Sequence, residues 1–205
     1  MLEVQNRIVQ KADDQFRKFG IRAVTMDDIA LQAGISKKTI YQYFTDKNEL
    51  VNDVMMATFK NNHQKCKLCC NQSSNSIEEI FMLMRTIGED FRNLNPIILF
   101  DLKKFHNKTF QNFQKHLDED ITQMVLQNLE RGIAEGFFRN DLNLEITARF
   151  RMASIWILFD QETFPYPKFE LSQVFKEVLV LFLYGLVTPK GYKMIEKYQT
   201  INIKK

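Results

Sequence analysis

The side chains that could do chemistry are concentrated between Ser36 and Lys47, and what they offer is hydrogen-bond donation to negatively charged oxygens. Lys37 and Lys38 carry ammonium groups, and no acidic residue occurs from position 29 to position 45. A surface that faces phosphates needs such a segment, because each nearby carboxylate would repel the phosphate backbone. The formal net charge is only +3, so the placement of these lysines matters more than the total.

Three short predicted helices position these side chains. Apolar residues repeat at helical spacing over residues 3–19, and a second helix is predicted over 26–32. Gly34 ends the second helix, and Ser36 caps a third helix over 37–44. Two helices joined by a tight glycine-containing turn are the layout of a helix-turn-helix unit.

The same segment resembles the TetR family of bacterial repressors. The matching residues are Phe19-Gly20, Thr25–Ala30, Ala33–Ser36, Thr39–Tyr41, Tyr43-Phe44 and Lys47–Leu50. The resemblance implies an all-α protein of about nine to ten helices. It implies a DNA-binding domain over residues 1–60, with the helix-turn-helix at about 25–44, and an effector-binding and dimerisation domain over 61–205. The expected function is that of a sequence-specific, homodimeric transcriptional repressor that a hydrophobic small-molecule effector releases from its operator.

A recognition helix packs one face on its neighbour and presents the other to the major groove. Ile40 and Phe44 supply the packing face. Lys37 and Lys38 lie in the first turn, which reaches base edges in this kind of docking, although both could instead be solvated surface charge. Tyr41 could contact phosphate or pack half-buried. The predicted DNA contacts are Thr25, Ser36, Lys37, Lys38, Thr39, Tyr41, Gln42, Tyr43 and Lys47; for Thr25 and Lys47, the role of phosphate contact is implied by the resemblance.

The rest of the chain is also predicted to be helical, since seven Gly and four Pro leave little room for a turn-rich β fold. The predicted helices run from about 47 to 70, 76 to 95, 96 onward, 108 to 136, 144 to 164 and 169 to 186, with a short piece at 192–198.

The segment from Val178 to Val187 is apolar all round, which predicts burial on every side. A symmetric partner is the simplest cover for the face that the chain itself leaves open, although a monomeric core helix is an alternative. We therefore expect a homodimer that reads a palindromic double-stranded DNA operator.

Aromatic and methionine side chains crowd the central helices, and this composition is more often that of a plain core than that of a ligand pocket. If a pocket exists, its effector is an apolar small molecule. The predicted effector-binding residues are Phe105, His106, Phe113, His116 and Trp156.

His63, Cys66 and Cys70 could share one helix face as a soft-metal or thiol cluster. Zinc sites usually draw ligands from two segments, and the sequence offers no second Cys/His cluster, so we expect neither a metal nor another cofactor. Three clustered cysteines make no disulfide framework, and the amino-terminal stretch does not resemble a signal peptide, so a cytoplasmic location is predicted without membrane contact.

An enzyme is not predicted, because the sequence contains no phosphate-binding glycine loop, metal-carboxylate set or nucleophile elbow. The alternative to a ligand-released repressor is a protein of the same fold without a small-molecule effector. Such a protein would organise DNA or respond to a protein partner. A bound apolar molecule in the purified protein would favour the ligand-released repressor.

Overall fold

The computed structural model describes residues 2–92 and 94–203, with side chains described as far as Thr200. This part of the chain forms ten α-helices and no strand, which confirms the predicted all-α class. They are α1 (Leu2–Phe19), α2 (Met26–Gln32), α3 (Lys37–Tyr43), α4 (Lys47–Gln72), α5 (Ser76–Arg92), α6 (Ile97–Phe105), α7 (Asn107–Ala134), α8 (Leu144–Ile157), α9 (Leu171–Leu186) and α10 (Pro189–Ile203).

The helices group into two units that do not follow chain order. The first unit comprises Met1–Asn61 and Asn93–His116, and the second comprises Asn62–Arg92 and Leu117–Lys205. The sequence-based division at residue 60 had placed α6 with the second domain. In the structure α6 packs in the first unit, because the Asp101 carboxylate accepts a hydrogen bond from the backbone N–H of Arg22 at 2.8 Å.

In the first unit, α1 buries Ile8, Ala12 and Phe16 along one stripe, as their four-residue spacing predicts. The helix ends at Gly20, whose φ of 81° places it in the left-handed region that glycine adopts without strain. α1 packs on α2, and α2 packs on α3.

In the second unit, the main packing is between α5 and α9, with α8 and α10 adding to it. Phe91 of α5 contacts Phe175 of α9 edge to face, with ring centroids 5.1 Å apart. Phe81 lies 5.6 Å from the ring of Tyr198 in α10. These aromatic contacts fill the space between the helices and fix their spacing.

Two predictions about the carboxyl-terminal helices were wrong in detail. α8 ends at Ile157 rather than near residue 164, because Asp160 accepts hydrogen bonds from the backbone of Glu162 and the hydroxyl of Thr163 and so favours a turn. α10 is longer than the predicted short piece. α9 buries one side within this chain and leaves the other side open, as expected, with Leu181 on the open side 71% exposed.

Within the described residues, no helix has the length and the apolar character needed to cross a membrane.

Two helical glycines in the second unit differ in the space around them. A Cβ atom built on Gly132 of α7 would overlap the ring of Phe138, which is almost fully buried and cannot move away freely. A Cβ atom on Gly88 of α5 would meet only an ordinary contact, 3.9 Å from the Phe175 ring.

We therefore expect Gly132→Ala to lower the free energy of unfolding by about 1–3 kcal/mol, as overpacking a core does. Gly88→Ala is the matched control and should raise that free energy by up to about 1 kcal/mol, because alanine favours the helix. Urea unfolding followed by circular dichroism measures both. Equal stability of the two variants would contradict the packing described here.

Candidate nucleic-acid interface and ligand cavity

A reciprocal capping arrangement fixes the start of α2. The Thr25 hydroxyl accepts from the Asp28 N–H at 3.2 Å, while the Thr25 N–H and hydroxyl donate to the Asp28 carboxylate at 2.9 and 2.6 Å. These hydrogen bonds, that of the Thr25 hydroxyl first, lower the pKa of Asp28. Thr25 is therefore the N-cap of α2, and two backbone N–H groups at the helix start gain partners.

The turn between α2 and α3 depends on Gly34. Its φ of 65° lies in the left-handed region, and the Ile35 N–H donates back to the Ala30 carbonyl at 3.0 Å. This closes the end of α2 in the way a glycine-terminated helix does. Ser36 then begins α3, since its hydroxyl accepts from the Thr39 N–H at 3.0 Å.

α3 has one packed face and one open face. Ile40 and the C-cap residue Phe44 are buried. Lys38, Tyr41 and Gln42 are exposed. Thr39 and Tyr43 are half-buried, so their hydroxyls lie at the border of the open face. The structure therefore brings the candidate donors of α3 together on one short helix.

Lys37 is held by an acidic residue that the sequence analysis did not connect with it. Its ammonium group lies 2.9 Å from the Asp27 carboxylate of α2, and both side chains are largely exposed. The hydrogen bond from Lys37 to Asp27 raises the pKa of the lysine. Asp27 is a candidate functional residue that sequence reasoning missed, because an acidic residue in the first turn of a helix is already explained by the helix dipole.

Lys47 is engaged within the first unit. Its ammonium group donates to the Ile21 carbonyl at 2.6 Å, and burial lowers its pKa, partly opposed by the charges of Asp101 and Asp28. The contact ties the first residue of α4 to the loop that precedes α2. A contact between Lys47 and phosphate remains a prediction.

The second unit contains a mainly apolar cavity of about 160 Å³. Its lining comes from α4, α5, α7, α8 and α9. The apolar lining residues are Ile80, Leu83, Ile87, Phe91, Leu117, Ile121, Met124, Val125, Leu129, Ile155, Phe175, Leu179 and Phe182. The polar lining residues are Asn62, Cys66, Glu79, Asn128 and Arg151. This composition is that of a site for a small apolar molecule with few polar groups.

The five effector residues predicted from sequence are not among those that line this cavity. Phe113 and His116 lie against Phe59 in the first unit, with ring centroids 6.3 and 5.7 Å apart. The Arg22 guanidinium lies 5.1 Å from the centroid of the Phe105 ring.

His106 places its Nδ1 2.7 Å from the Asn48 amide oxygen. Trp156, in the second unit, is hydrogen-bonded to Asp118. One signal for the cavity was present in the sequence: Arg151 shares a helix face with Ala148, Met152 and Ile155, at spacings that are otherwise apolar.

The candidate cluster of His63, Cys66 and Cys70 does not form a single site, because its members have different neighbours. His63 Nδ1 lies 3.2 Å from the Asp120 carboxylate, whereas Cys66 lines the cavity. Among the residues that the structure describes, no three His, Cys, Asp or Glu side chains are grouped so that they could hold a metal ion. Burial raises the pKa of Cys66 to about 12 and also raises that of Cys70.

Comparisons with known proteins agree with the helix-turn-helix geometry. Residues 8–54 match the family model described as bacterial regulatory proteins, tetR family. The helix-turn-helix-type transcriptional repressor KstR2 of Mycolicibacterium smegmatis is 23% identical over 192 residues, covering 92% of this chain and 93% of that protein. A helix-turn-helix-type transcriptional regulator of Bacillus subtilis, YhgD, itself uncharacterized, is 28% identical over 76% of this chain and 82% of its own length.

Among solved structures, the ketosteroid transcriptional regulator KstR2 of Mycobacterium tuberculosis has a TM-score of 0.64. It is 22% identical and covers 90% of this chain and 95% of its own. At that identity the likeness shows that the two proteins share a fold.

The raised pKa of Cys66 predicts slow alkylation, since only the thiolate reacts. In a variant with Cys69→Ala and Cys70→Ala, iodoacetamide at pH 8 should label folded Cys66 at least about a hundredfold more slowly than the same chain in urea. The rate in the folded protein should keep rising tenfold per pH unit from pH 8 to 10, because the thiolate is scarce below about pH 12. Mass spectrometry of quenched samples measures the rate. A plateau below pH 10 in the folded protein would show that the thiol is not desolvated.

Proposed function

The chain belongs to the TetR family of bacterial regulatory proteins, and we propose that it is a homodimeric repressor released from a palindromic operator by a small apolar molecule. The chain is a DNA-binding transcription regulator and not an enzyme. The single observation that carries the DNA-binding part of the proposal is the two-faced α3, which is buried through Ile40 and open through Lys38, Tyr41 and Gln42.

The open face of α3 fits the major groove. Seven residues make two turns of helix, which is enough to place the first-turn lysines on base edges and the later hydroxyls on phosphates. Lys37 reaches a base only after it leaves Asp27, so binding exchanges one charged partner for another. Because an exposed ion pair contributes little free energy, DNA can replace Asp27 as the partner of Lys37 at small cost.

Two further contacts to phosphate are proposed at the edges of the helix-turn-helix. Thr25 and Ser36 stand at the starts of α2 and α3, and their hydroxyl groups are the proposed donors to phosphate oxygens. Lys47 lies at the start of α4, and its ammonium group keeps donor capacity beyond the one hydrogen bond to Ile21.

The proposed dimer interface is the exposed apolar stripe of α8 and α9. Ile146 is 65% exposed and Phe150 is 63% exposed on α8, at helical spacing from Ile157. Phe150 stacks on Phe182 of α9 with ring centroids 6.4 Å apart, and Leu181 next to it is also exposed. Covering these large apolar side chains with a second copy removes them from water, which is favourable. In a two-fold dimer, the stripe of one copy packs against the same stripe of the other.

The proposed effector site is the apolar cavity of the second unit. Two of its lining residues, Asn62 and Cys66, lie on α4, the helix that begins at Lys47 directly after the helix-turn-helix. A molecule that separates α4 from the other lining helices favours a second arrangement of α4, and DNA is released if that arrangement no longer matches the operator. A relative named for ketosteroid regulation is consistent with an apolar effector.

Selection of duplexes from a random library tests the DNA-binding part of the proposal. The wild-type protein should select inverted repeats with half-sites about 10 base pairs apart, as a two-fold helix-turn-helix protein does. Lys37→Ala should lose preference at one base pair in each half-site, by about 1–3 kcal/mol.

Lys60→Ala, an exposed lysine of α4 away from α3, is the control and should leave the selected motif unchanged. Asp27→Asn removes the competing carboxylate and should tighten binding to all duplexes. A motif that is identical for Lys37→Ala and wild type would show that this lysine reads no base.

Sedimentation equilibrium tests the dimer. The wild-type protein should have twice the chain mass of 24.3 kDa. Leu181→Glu should raise the dimer dissociation constant by roughly a hundredfold or more, because symmetry brings two carboxylates together in one interface. Leu68→Glu, an exposed leucine of α4 that is 55% exposed, is the control and should remain dimeric. A dimer of unchanged strength in Leu181→Glu would exclude this stripe as the interface.

A further inference from the structure

Arg151 is a buried cation in the lining of the apolar cavity. The residue is 8% exposed, and its Nη1 donates to the Ser154 hydroxyl at 2.9 Å. The guanidinium also lies 5.8 Å from the centroid of the Phe182 ring. A guanidinium has five N–H groups, and most of those of Arg151 have no acceptor among the described residues.

Within residues 2–92 and 94–203, no carboxylate forms an ion pair with Arg151. The two contacts described for this guanidinium, with the Ser154 hydroxyl and the Phe182 ring, are both to neutral groups. Removing a charge from water without a counterion is unfavourable, so a buried arginine in this state is a site prepared for an anion.

Glu79 also lines the cavity, and it is neutralised by a different cation. Arg131 Nη1 lies 3.5 Å from the Glu79 carboxylate, and Arg131 is itself held by Glu135 at 2.8 Å. Asn128 donates a further hydrogen bond to Glu79, although burial raises the pKa of that carboxyl overall. Since Arg131 is not among the lining residues, the cavity keeps Arg151 as its own uncompensated charge.

The α4 side of the cavity adds a neutral polar group. The side-chain oxygen of Asn62 is buried and has no hydrogen-bond partner. Cys66, one helical turn further along, lines the same cavity, and the raised pKa keeps its thiol uncharged near neutral pH. An anion near Arg151 therefore meets no competing thiolate. The Asn62 oxygen is an acceptor, so only a ligand that also carries an N–H or O–H group can satisfy it.

The remaining lining is apolar, and the volume is about 160 Å³. A cavity of this size holds one aromatic ring or a medium-length alkyl chain. Size, apolar walls and a single charged anchor together define an amphipathic ligand with one negative end.

We propose that the effector is an apolar monocarboxylate, whose carboxylate pairs with the Arg151 guanidinium while its hydrocarbon part fills the cavity. The regulatory role of this ligand rests on the proposed function, which makes the cavity the effector site. The binding itself is a property of the cavity and is measured separately.

Isothermal titration of the full-length protein tests the proposal with two carboxylates of different shape, octanoate and 4-propylbenzoate, and with the primary amide of each. The wild-type protein should bind each carboxylate about 10–100-fold more tightly than its amide, the range expected for a charge-assisted pair. Arg151→Met keeps the bulk of the side chain and should abolish that ratio, whereas Arg151→Lys should restore part of it.

Arg149→Met is the matched control, since Arg149 lies on the same helix, is 75% exposed and pairs with Glu145 at 2.9 Å. It should bind all four probes as the wild-type protein does. Far-ultraviolet circular dichroism verifies that each variant is folded, and Arg151→Lys provides the comparison if Arg151→Met is not. Equal affinity for carboxylate and amide in the wild-type protein, no binding of either carboxylate, or an unchanged ratio in Arg151→Met would each overturn the proposal.

The same probes added to the protein–DNA complex separate this inference from the proposed function. Carboxylate binding that depends on Arg151 but leaves the DNA complex intact supports the anion site and contradicts ligand release. Release by the neutral amides that is equal in Arg151→Met and wild type supports ligand release and contradicts the anion site.

Discussion

The turn between α2 and α3 is the constraint on which the DNA-facing surface depends. α3 has only seven residues and would not be stable alone, so its direction is set by what precedes it and by what it packs on. Gly34 supplies the left-handed residue, Ser36 caps the new helix, and Ile40 anchors it in the core of the first unit. With these three fixed, the side chains of α3 that can donate hydrogen bonds share one open face.

The parts of this arrangement that are local were predictable from sequence. Caps at Thr25 and Ser36 and the glycine at the end of α2 act over a few residues, so the bounds of α1, α2 and α3 were predicted to within about one residue. The end of α8 was not predicted correctly. The sequence suggested that the helix continues to the prolines after residue 164, but a turn at Asp160 ends it earlier. The place of α6 in the first unit depends on Asp101 contacting the backbone of Arg22, which is 79 residues away in sequence and leaves no periodic signal.

The cavity shows the same division between local and long-range information. Composition predicted an apolar interior, yet it could not say which apolar side chains enclose empty space, since that depends on how α5 packs on α9. The position of one charged residue indicated the location of the cavity better than the distribution of aromatic residues did. An arginine at an otherwise apolar position of α8 marks the cavity, whereas the aromatic and histidine side chains chosen from sequence lie elsewhere. The buried Glu79 carboxylate then pairs with the half-buried Arg131, which leaves Arg151 unmatched.

The ion pair between Lys37 and Asp27 has a consequence for how the protein finds its target on a chromosome. Attachment to arbitrary sequence depends on the number of free cations that a protein offers to phosphates, and the millions of such positions compete with the true site. The Asp27 carboxylate partly cancels the charge that Lys37 offers to phosphates and itself repels the backbone, so it weakens this indiscriminate attachment. If Lys37 contacts a base as proposed, that contact compensates for the weak ion pair at the correct site alone, and the pair favours that site over random positions without adding any contact.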